Sequence, residues 1–375
     1  MQYICQFIIP ENESFRKLAT FSYLGRKQIP SLTNLNVLNR IQRLKIFFLL
    51  CLCRLALPAQ DVHFSQFYNA PLSLNPALAG AFEEDMRFGA AYRNQWSSVP
   101  VPYESFFGTY DQKVFQPWLG DNWLGLGGAF AYDQAGDANL SWLQLALFGA
   151  FHWRAAAGHS LSAGLQLRFG QRALEPGQFS FADQFTDSFF DPAAPTAESF
   201  AATSAGYFSL GSGFNWFYQP EESRSRAWAG LSATHLNQPA LSFMNDGTVS
   251  LPVLFTLNAQ GLLELAERWD LAANLLGQRQ GTYQEIAGMA GGRFHVSQDK
   301  GRELALQLGA GYRLGDALIG YLDVFYKNWR FGLSYDANTS PFIAATNRNG
   351  GPEFSVQYVI RQVKPPKAYK ACPIF

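Results

Sequence analysis

The chain has 375 residues with 29 basic and 29 acidic side chains, and only 15% of it is charged while another 15% is aromatic. A typical soluble domain is about 25% charged, so this composition suits a protein with much surface that water does not wet. The charge balance excludes a basic stripe for nucleic acid, and the longest apolar run, Ile46 to Cys53, falls far short of the roughly 20 residues of a membrane-spanning helix.

That apolar run follows Arg40, Arg43 and Lys45 and precedes Leu57-Pro58-Ala59-Gln60. A basic flank, an apolar stretch and small residues at a cleavage site make up a secretory signal peptide, so residues 1–60 are expected to be removed. Residues 1–39 are long for such a leader and carry acids and a proline, as an extension from a start codon assigned too far upstream would. Eight of the 29 basic but only two of the 29 acidic residues lie in 1–60, so the remainder is mildly acidic. Cys5, Cys51 and Cys53 leave with the leader, and Cys372 alone allows no internal disulfide.

Residues 61–85 begin DVHFSQFYNAPLSLNPALAG, where Pro71, Pro76 and the asparagines predict an irregular lead-in rather than a strand or helix. From Met86 onward, alternating stretches rich in Phe, Tyr, Trp and Gly are separated by turn residues. They predict strands at 86–96, 103–113, 123–133, 139–154, 159–172, 204–218, 226–236, 252–265, 268–279, 283–296, 303–314, 317–327, 329–336 and 352–361. The stretch from Gln260 to Asp270 reads as two strands meeting at a turn near Glu267. Fourteen is an even number, which lets both ends of a closed antiparallel barrel emerge on one side. The three longest gaps, 173–203, 237–251 and 337–351, all follow odd strands, which puts them on one side of such a barrel as extracellular loops.

The strand faces carry the same message. Leu161, Ala163, Leu165, Leu167 and Phe169 alternate with Ser162, Gly164, Gln166, Arg168 and Gly170, and Phe354, Val356 and Tyr358 alternate with Glu353, Ser355 and Gln357. Trp96, Tyr103, Trp123, Trp153, Tyr218, Trp228, Trp269 and Trp329 fall toward strand ends, where an interfacial aromatic girdle would sit. The fold class read here is all-β, a transmembrane antiparallel β-barrel over 86–361 with an irregular N-terminal lead-in and a periplasmic C-terminal tail at 362–375. The competing architecture is a soluble secreted β-sandwich, in which a second sheet covers the apolar face.

Alternation puts Arg87, Arg93 and Gln95 on the polar, lumenal face of the first strand. A lumenal arginine needs acidic or amide partners, and Gln66 and Asn75 of the lead-in could supply amides; the alternative is a solvated arginine at a strand end. The five histidines, His63, His152, His159, His235 and His295, have no metal-ligand spacing. A barrel phospholipase would need a Ser–His pair on an outward face, with His152 or His235 as base. Asp183, Asp187 and Asp191 do not match a calcium loop. No catalytic residue, cofactor or metal is expected, and the chain is read as a non-enzyme. In the tail, Pro365–Pro366 stops any strand, and Cys372, Pro373 and Phe375 are candidates for docking a periplasmic partner, against the alternative of a disordered end.

Several motifs together resemble one family. The stretch containing Phe64-Ser65-Gln66-Phe67-Tyr68 and Leu74-Asn75-Pro76-Ala77, with Ala79-Gly80, precedes Tyr92-Arg93-Asn94-Gln95-Trp96. Thr109-Tyr110-Asp111-Gln112, Gly170-Gln171-Arg172, Phe181-Ala182-Asp183-Gln184, His235 to Pro239, Phe331 to Asp336 and Cys372 to Phe375 follow. The set resembles the PorP/SprF family of type IX secretion system membrane proteins of Bacteroidetes, with Ala182 and Thr109 as departures. The resemblance implies an outer-membrane barrel without enzymatic activity that assists secretion or surface attachment of cargo bearing C-terminal signal domains. Its implied partners are that cargo, other type IX components in the periplasm and outer membrane, and the lipid bilayer. Phe181, Asp183 and Gln184 become candidates for an extracellular cargo loop. The runner-up is a general porin or small-ligand uptake channel, which an open lumen would favour.

Overall fold

The computed structural model describes residues 63–361, apart from 97–102, 115–116, 137–138, 176–178, 180, 187–188, 192–193, 197–201, 244–246, 248 and 342. The expected leader, 1–60, and the tail with Cys372, Pro373 and Phe375 lie outside the described residues.

Each alternating segment is a strand because period-two side chains sort onto two faces of a pleated ribbon. In chain order they are β1 Met86–Gln95, β2 Tyr103–Val114, β3 Trp123–Ala135, β4 Leu140–Ala156, β5 His159–Ala173, β6 Phe185–Thr186, β7 Phe189–Phe190, β8 Ser204–Tyr218, β9 Arg226–Thr234, β10 Leu254–Ala266, β11 Trp269–Gln280, β12 Tyr283–Ser297, β13 Leu304–Arg313, β14 Ala317–Tyr326, β15 Trp329–Asn338 and β16 Asn349–Ile360. Strands β6 and β7 form a separate small ladder within the connection from β5 to β8. The other fourteen pair antiparallel with their chain neighbours, and β1 pairs with β16 from Met86–Ile360 to Arg93–Glu353, closing a barrel. Closure removes every sheet edge from the hydrocarbon, where an unpaired backbone group would be costly.

All fourteen expected strands are present, with small shifts at their ends. Strand β9 stops at Thr234 because His235 turns to φ 60° and leaves the ladder. Strand β16 starts at Asn349, earlier than expected, because a register shift at Asp336/Ala337 carries the pairing through Gly350 and Gly351. The segment from Gln260 to Asp270 does divide into β10 and β11, joined by a two-residue turn.

The apolar face has no second protein layer. Leu165 on β5 is 68% exposed and Leu308 on β13 is 70% exposed, while their polar neighbours Gln166 and Gln307 are 2% and 1% exposed. A stacked sandwich would bury the leucines and wet the glutamines; the barrel does the reverse. Trp153, Trp269 and Trp329 stand exposed at one rim, as a girdle requires. Trp123 and Trp228, expected in that girdle, face the lumen instead. Trp123 lies opposite buried His152 and stacks on its ring at 4.6 Å, and Trp228 lies opposite lumenal Gln260 and packs on an interior cluster.

Connections alternate between the two rims. The spans 157–158, 267–268 and 327–328 lie at one rim, the turn end, and the three longest connections, 174–203, 235–253 and 339–348, lie at the other, the loop end.

Candidate functional site

The lead-in segment folds as three short turns: a 3-10 turn at Phe67–Asn69, helix α1 at Pro71–Leu74 and a second 3-10 turn at Pro76–Leu78. Pro71 and Pro76 each open a turn, where the missing N–H would have no partner within the turn. The Asn75 side chain accepts the Ala77 N–H at 2.9 Å. Short turns use up little of the segment's backbone hydrogen bonding, so the rest must be satisfied by whatever surrounds it.

The barrel wall surrounds it. Phe64, Phe67, Tyr68, Leu72, Leu74 and Ala77 are all buried. Phe64, Ala70 and Leu72 pack on Phe107, Ala131 and Phe148, and on the other side Phe67, Tyr68 and Leu74 pack on Leu276, Met289, Ile319 and Tyr321. The segment therefore splits the apolar part of the lumen in two and fills it. A cavity of about 40 Å³ remains between Phe64, Leu72, Gln144 and Arg168, room for little more than a water or two.

Polar contacts fix the segment along its whole course. At the loop end Glu353 accepts the N–H groups of Ser65 and Gln66 at 2.6 and 2.7 Å, and Asp336 accepts the Ser65 hydroxyl at 2.7 Å. Arg93 donates to the His63 carbonyl at 2.8 Å and to Asp336 at 2.9 Å, and Arg313 also pairs with Asp336. Midway, Asn69 donates to Asp323 and Ser355, while Ser232 donates to the Leu74 carbonyl at 2.6 Å. Asn75 reaches the carbonyls of Phe214 and Leu231. At the turn end Ser162 donates to Ala77, the His152 ring meets the Ala79 carbonyl at 2.7 Å, and Trp123 donates to the Gly80 carbonyl at 3.1 Å. Asp111 accepts both the Gly80 N–H and the Arg87 guanidinium, and Arg87 also reaches the Leu78 carbonyl. Buried ions are tolerable only when paired and hydrogen-bonded in this way.

The wall is also shaped for this occupant. A Cβ on Gly125 of β3 would collide with the Ala79 carbonyl, and one on Gly164 of β5 with the Ala77 backbone. Glycine at both positions lets the segment's backbone lie directly on the sheet.

Of the residues singled out in the sequence, Arg87 and Arg93 are 8% and 3% exposed and face the lumen. Their partners are the acids Asp111 and Asp336 and two lead-in carbonyls, whereas Gln66 and Asn75 bond to other groups. Gln66 accepts from Asn69 and Ser355, and Asn75 bonds to strand carbonyls. Gln95 is half-buried opposite Tyr103 at the end of β1. In the β5–β8 connection, Gln184 is buried, accepting from the Phe181 N–H at 3.0 Å and donating to the Ala194 carbonyl at 3.1 Å, while Asp183 accepts the Thr196 hydroxyl. Among the described residues of that connection, the exposed aromatics are Phe185 and Phe189, 61% and 64% exposed. A Ser–His pair does exist, Ser209 with His235 at 2.8 Å, but both residues are fully buried and neither faces outward as a lipid-directed pair would. Among the described residues no group of three His, Cys, Asp or Glu is placed to hold a metal ion.

Asp336, Glu353, Asp111 and Arg313 were not singled out as site residues, although Asp111 and Asp336 lie within motifs that carry the family resemblance. Their signal was available: each is a charged residue on the polar face of a strand whose opposite face is greasy. Which acid meets which arginine was not available, since Arg93 and Asp336 are far apart in the chain.

A family model for the type IX secretion system membrane protein PorP/SprF matches residues 56–358. Comparison with curated proteins finds no match. Among solved structures the chain is similar to the Pseudomonas putida toluene transporter TodX, at 12% identity over 80% of this chain and 95% of that one, with a TM-score of 0.46. The Ralstonia pickettii toluene transporter TbuX gives 12% identity, 78% and 94% coverage and 0.45, and a Pseudomonas aeruginosa FadL homologue gives 10%, 76% and 92%, and 0.44. With a closed fourteen-stranded wall, an apolar outer face and a family match over most of its length, this chain belongs to the PorP/SprF family of type IX secretion system membrane proteins and is an outer-membrane β-barrel.

Proposed function

We propose that this barrel is a plugged scaffold of the type IX apparatus, and that it assists secretion or surface attachment of cargo without conducting solutes. The observation that carries this reading is the occupied lumen: residues 63–80 fill it and are bonded to the wall from rim to rim. A porin needs an aqueous path, and residues 63–80 lie bonded across the lumen from rim to rim where that path would run. The chain is read as a non-enzyme, with residues 1–60 a cleaved leader. The long connections face outward from the cell, in keeping with short periplasmic turns and longer extracellular loops in such barrels.

In this reading the β5–β8 connection receives cargo. Asp183 and Gln184 hold its shape, Phe181 is tied to Gln184, and Phe185 and Phe189 offer aromatic contact area. The periplasmic turns and the tail residues Cys372, Pro373 and Phe375 engage the periplasmic machinery. Planar-bilayer recording of the purified protein tests the scaffold: the expected result is no steady conductance, and a large open pore overturns it in favour of a porin. Crosslinking in native membranes followed by identification of co-purified proteins tests the partners.

A further inference from the structure

One cation stands on the outward face of the wall. On β11, Trp269, Leu271 and Leu275 point outward, while Asp270, Asn274 and Gln280 face the lumen. The same parity puts Arg279 outward, where it is exposed. Every other arginine and lysine of the described strands has lumenal parity. The one outward acid among them, Glu104, lies on β2, seven strands away in either direction, and accepts from Tyr92 and Asn94. No carboxylate among the described residues pairs with Arg279. Arg279 follows Trp269 of the turn-end girdle by ten residues. At about 3.3 Å per residue and a tilt of about 40°, that separation spans about 25 Å, the height of the apolar band in such barrels. The guanidinium therefore stands at headgroup level on the loop-end side.

A groove opens directly beneath it. In the ladder Arg279 stands between Phe255 of β10 and Gln284 of β12. One outward row nearer mid-membrane, Gly277 stands between Leu257 and Ile286. Gly277 puts no side chain in that row, and an added Cβ there meets only the Leu257 Cβ, at 3.8 Å. These residues line an open groove of about 530 Å³ on the outer face.

We propose that this groove holds a membrane lipid with a phosphate headgroup. The phosphate pairs with Arg279, the Gln284 amide donates to it, and one acyl chain lies over Gly277 between Leu257 and Ile286. A guanidinium presents parallel N–H donors that match two phosphate oxygens, and no carboxylate of the protein competes for it. A positive charge at headgroup depth above a greasy trough matches the order of parts in an anionic lipid. A soluble anion would leave the trough unfilled, and an uncharged lipid would leave the guanidinium unpaired. The site goes beyond the proposed function and does not depend on it, since it belongs to the leaflet at the loop end whichever side that end faces.

The test titrates the purified full-length barrel in neutral detergent with dioleoyl phosphatidic acid, and separately with dioleoylglycerol, which has the same chains and no phosphate. Bound lipid is counted by native mass spectrometry, and only heat-modifiable, folded barrel is scored. The expected result is one saturable phosphatidic acid site, with dioleoylglycerol bound more weakly. Arg279→Gln should weaken phosphatidic acid binding by about five- to tenfold, and Arg279→Lys by less because the charge stays. Gly277→Leu should fill the trough and weaken binding. Gly320→Leu, on the outward face of β14 with open space around it, should bind as the native protein does. Undiminished binding by Arg279→Gln or by Gly277→Leu, or equal binding of the two lipids, overturns the proposal. Displacement of the lipid by an equal concentration of inorganic phosphate also overturns it, since the acyl chain would then contribute nothing.

Discussion

Glu353 is where closure of the lumen can be loosened with least damage to the wall. Its carboxyl group accepts two backbone N–H groups, from Ser65 and Gln66, and at 1% exposure bulk water does not replace it. Glu353→Ala orphans both donors, each at about 1–3 kcal/mol, so the seated arrangement loses about 2–6 kcal/mol. At about 1.4 kcal/mol per decade, the unseated fraction rises by roughly one to four orders of magnitude. Glu353→Gln keeps one carbonyl oxygen as acceptor and falls between the alanine variant and the native protein. The readout is an Ala70→Cys reporter in a Cys372→Ser background, since Ala70 is 1% exposed at the centre of the segment and reacts with maleimide only when the segment leaves. The expected order of labelling rate is alanine variant, glutamine variant, native, with transient bilayer openings following the same order. Folded Glu353→Ala protein with the native labelling rate and no openings would refute the reasoning that these bonds hold the segment in place.

The remaining expectations concern the wall and the loop. Gly125→Val should prevent the Ala79 backbone from seating and reduce heat-modifiable barrel, whereas Gly128→Val on the outward face, where the nearest atom to an added Cβ is 3.7 Å away, should fold as the native protein does. Leu165→Arg puts a charge at mid-depth on the lipid face, costs about 2–4 kcal/mol, and should lower the denaturant midpoint of folding into vesicles; no change would count against a lipid-facing position. Gln184→Ala removes the bonds to Phe181 and Ala194 and should speed proteolysis of the β5–β8 connection while leaving the barrel's thermal transition unchanged.

Strand positions and faces were legible because they depend on neighbours in sequence. The alternation through Leu161 to Gly170 needs no tertiary contact to be seen, and the turn near Glu267 was visible where two alternating runs meet. The misplaced tryptophans came from reading position along the strand without face. Trp123 and Trp228 sit near strand ends like Trp269, but Trp123 shares its parity with Asp133 and Trp228 with Ser232 and Thr234, which puts both on the lumenal face, opposite His152 and Gln260.

The sequence by itself determined a chain of fourteen two-faced strands, one face greasy, with its long gaps on one side. That much follows from a period of two residues and from turn chemistry. Tertiary structure alone decided what the polar face meets: its own residues 63–80, running from the loop end to the turn end, with Arg93 on Asp336 and Ser65 on Glu353. The physical reason is that alternation says which side chains share a face, whereas the identity of their partners depends on closing β1 against β16, which brings together residues from the two ends of the chain.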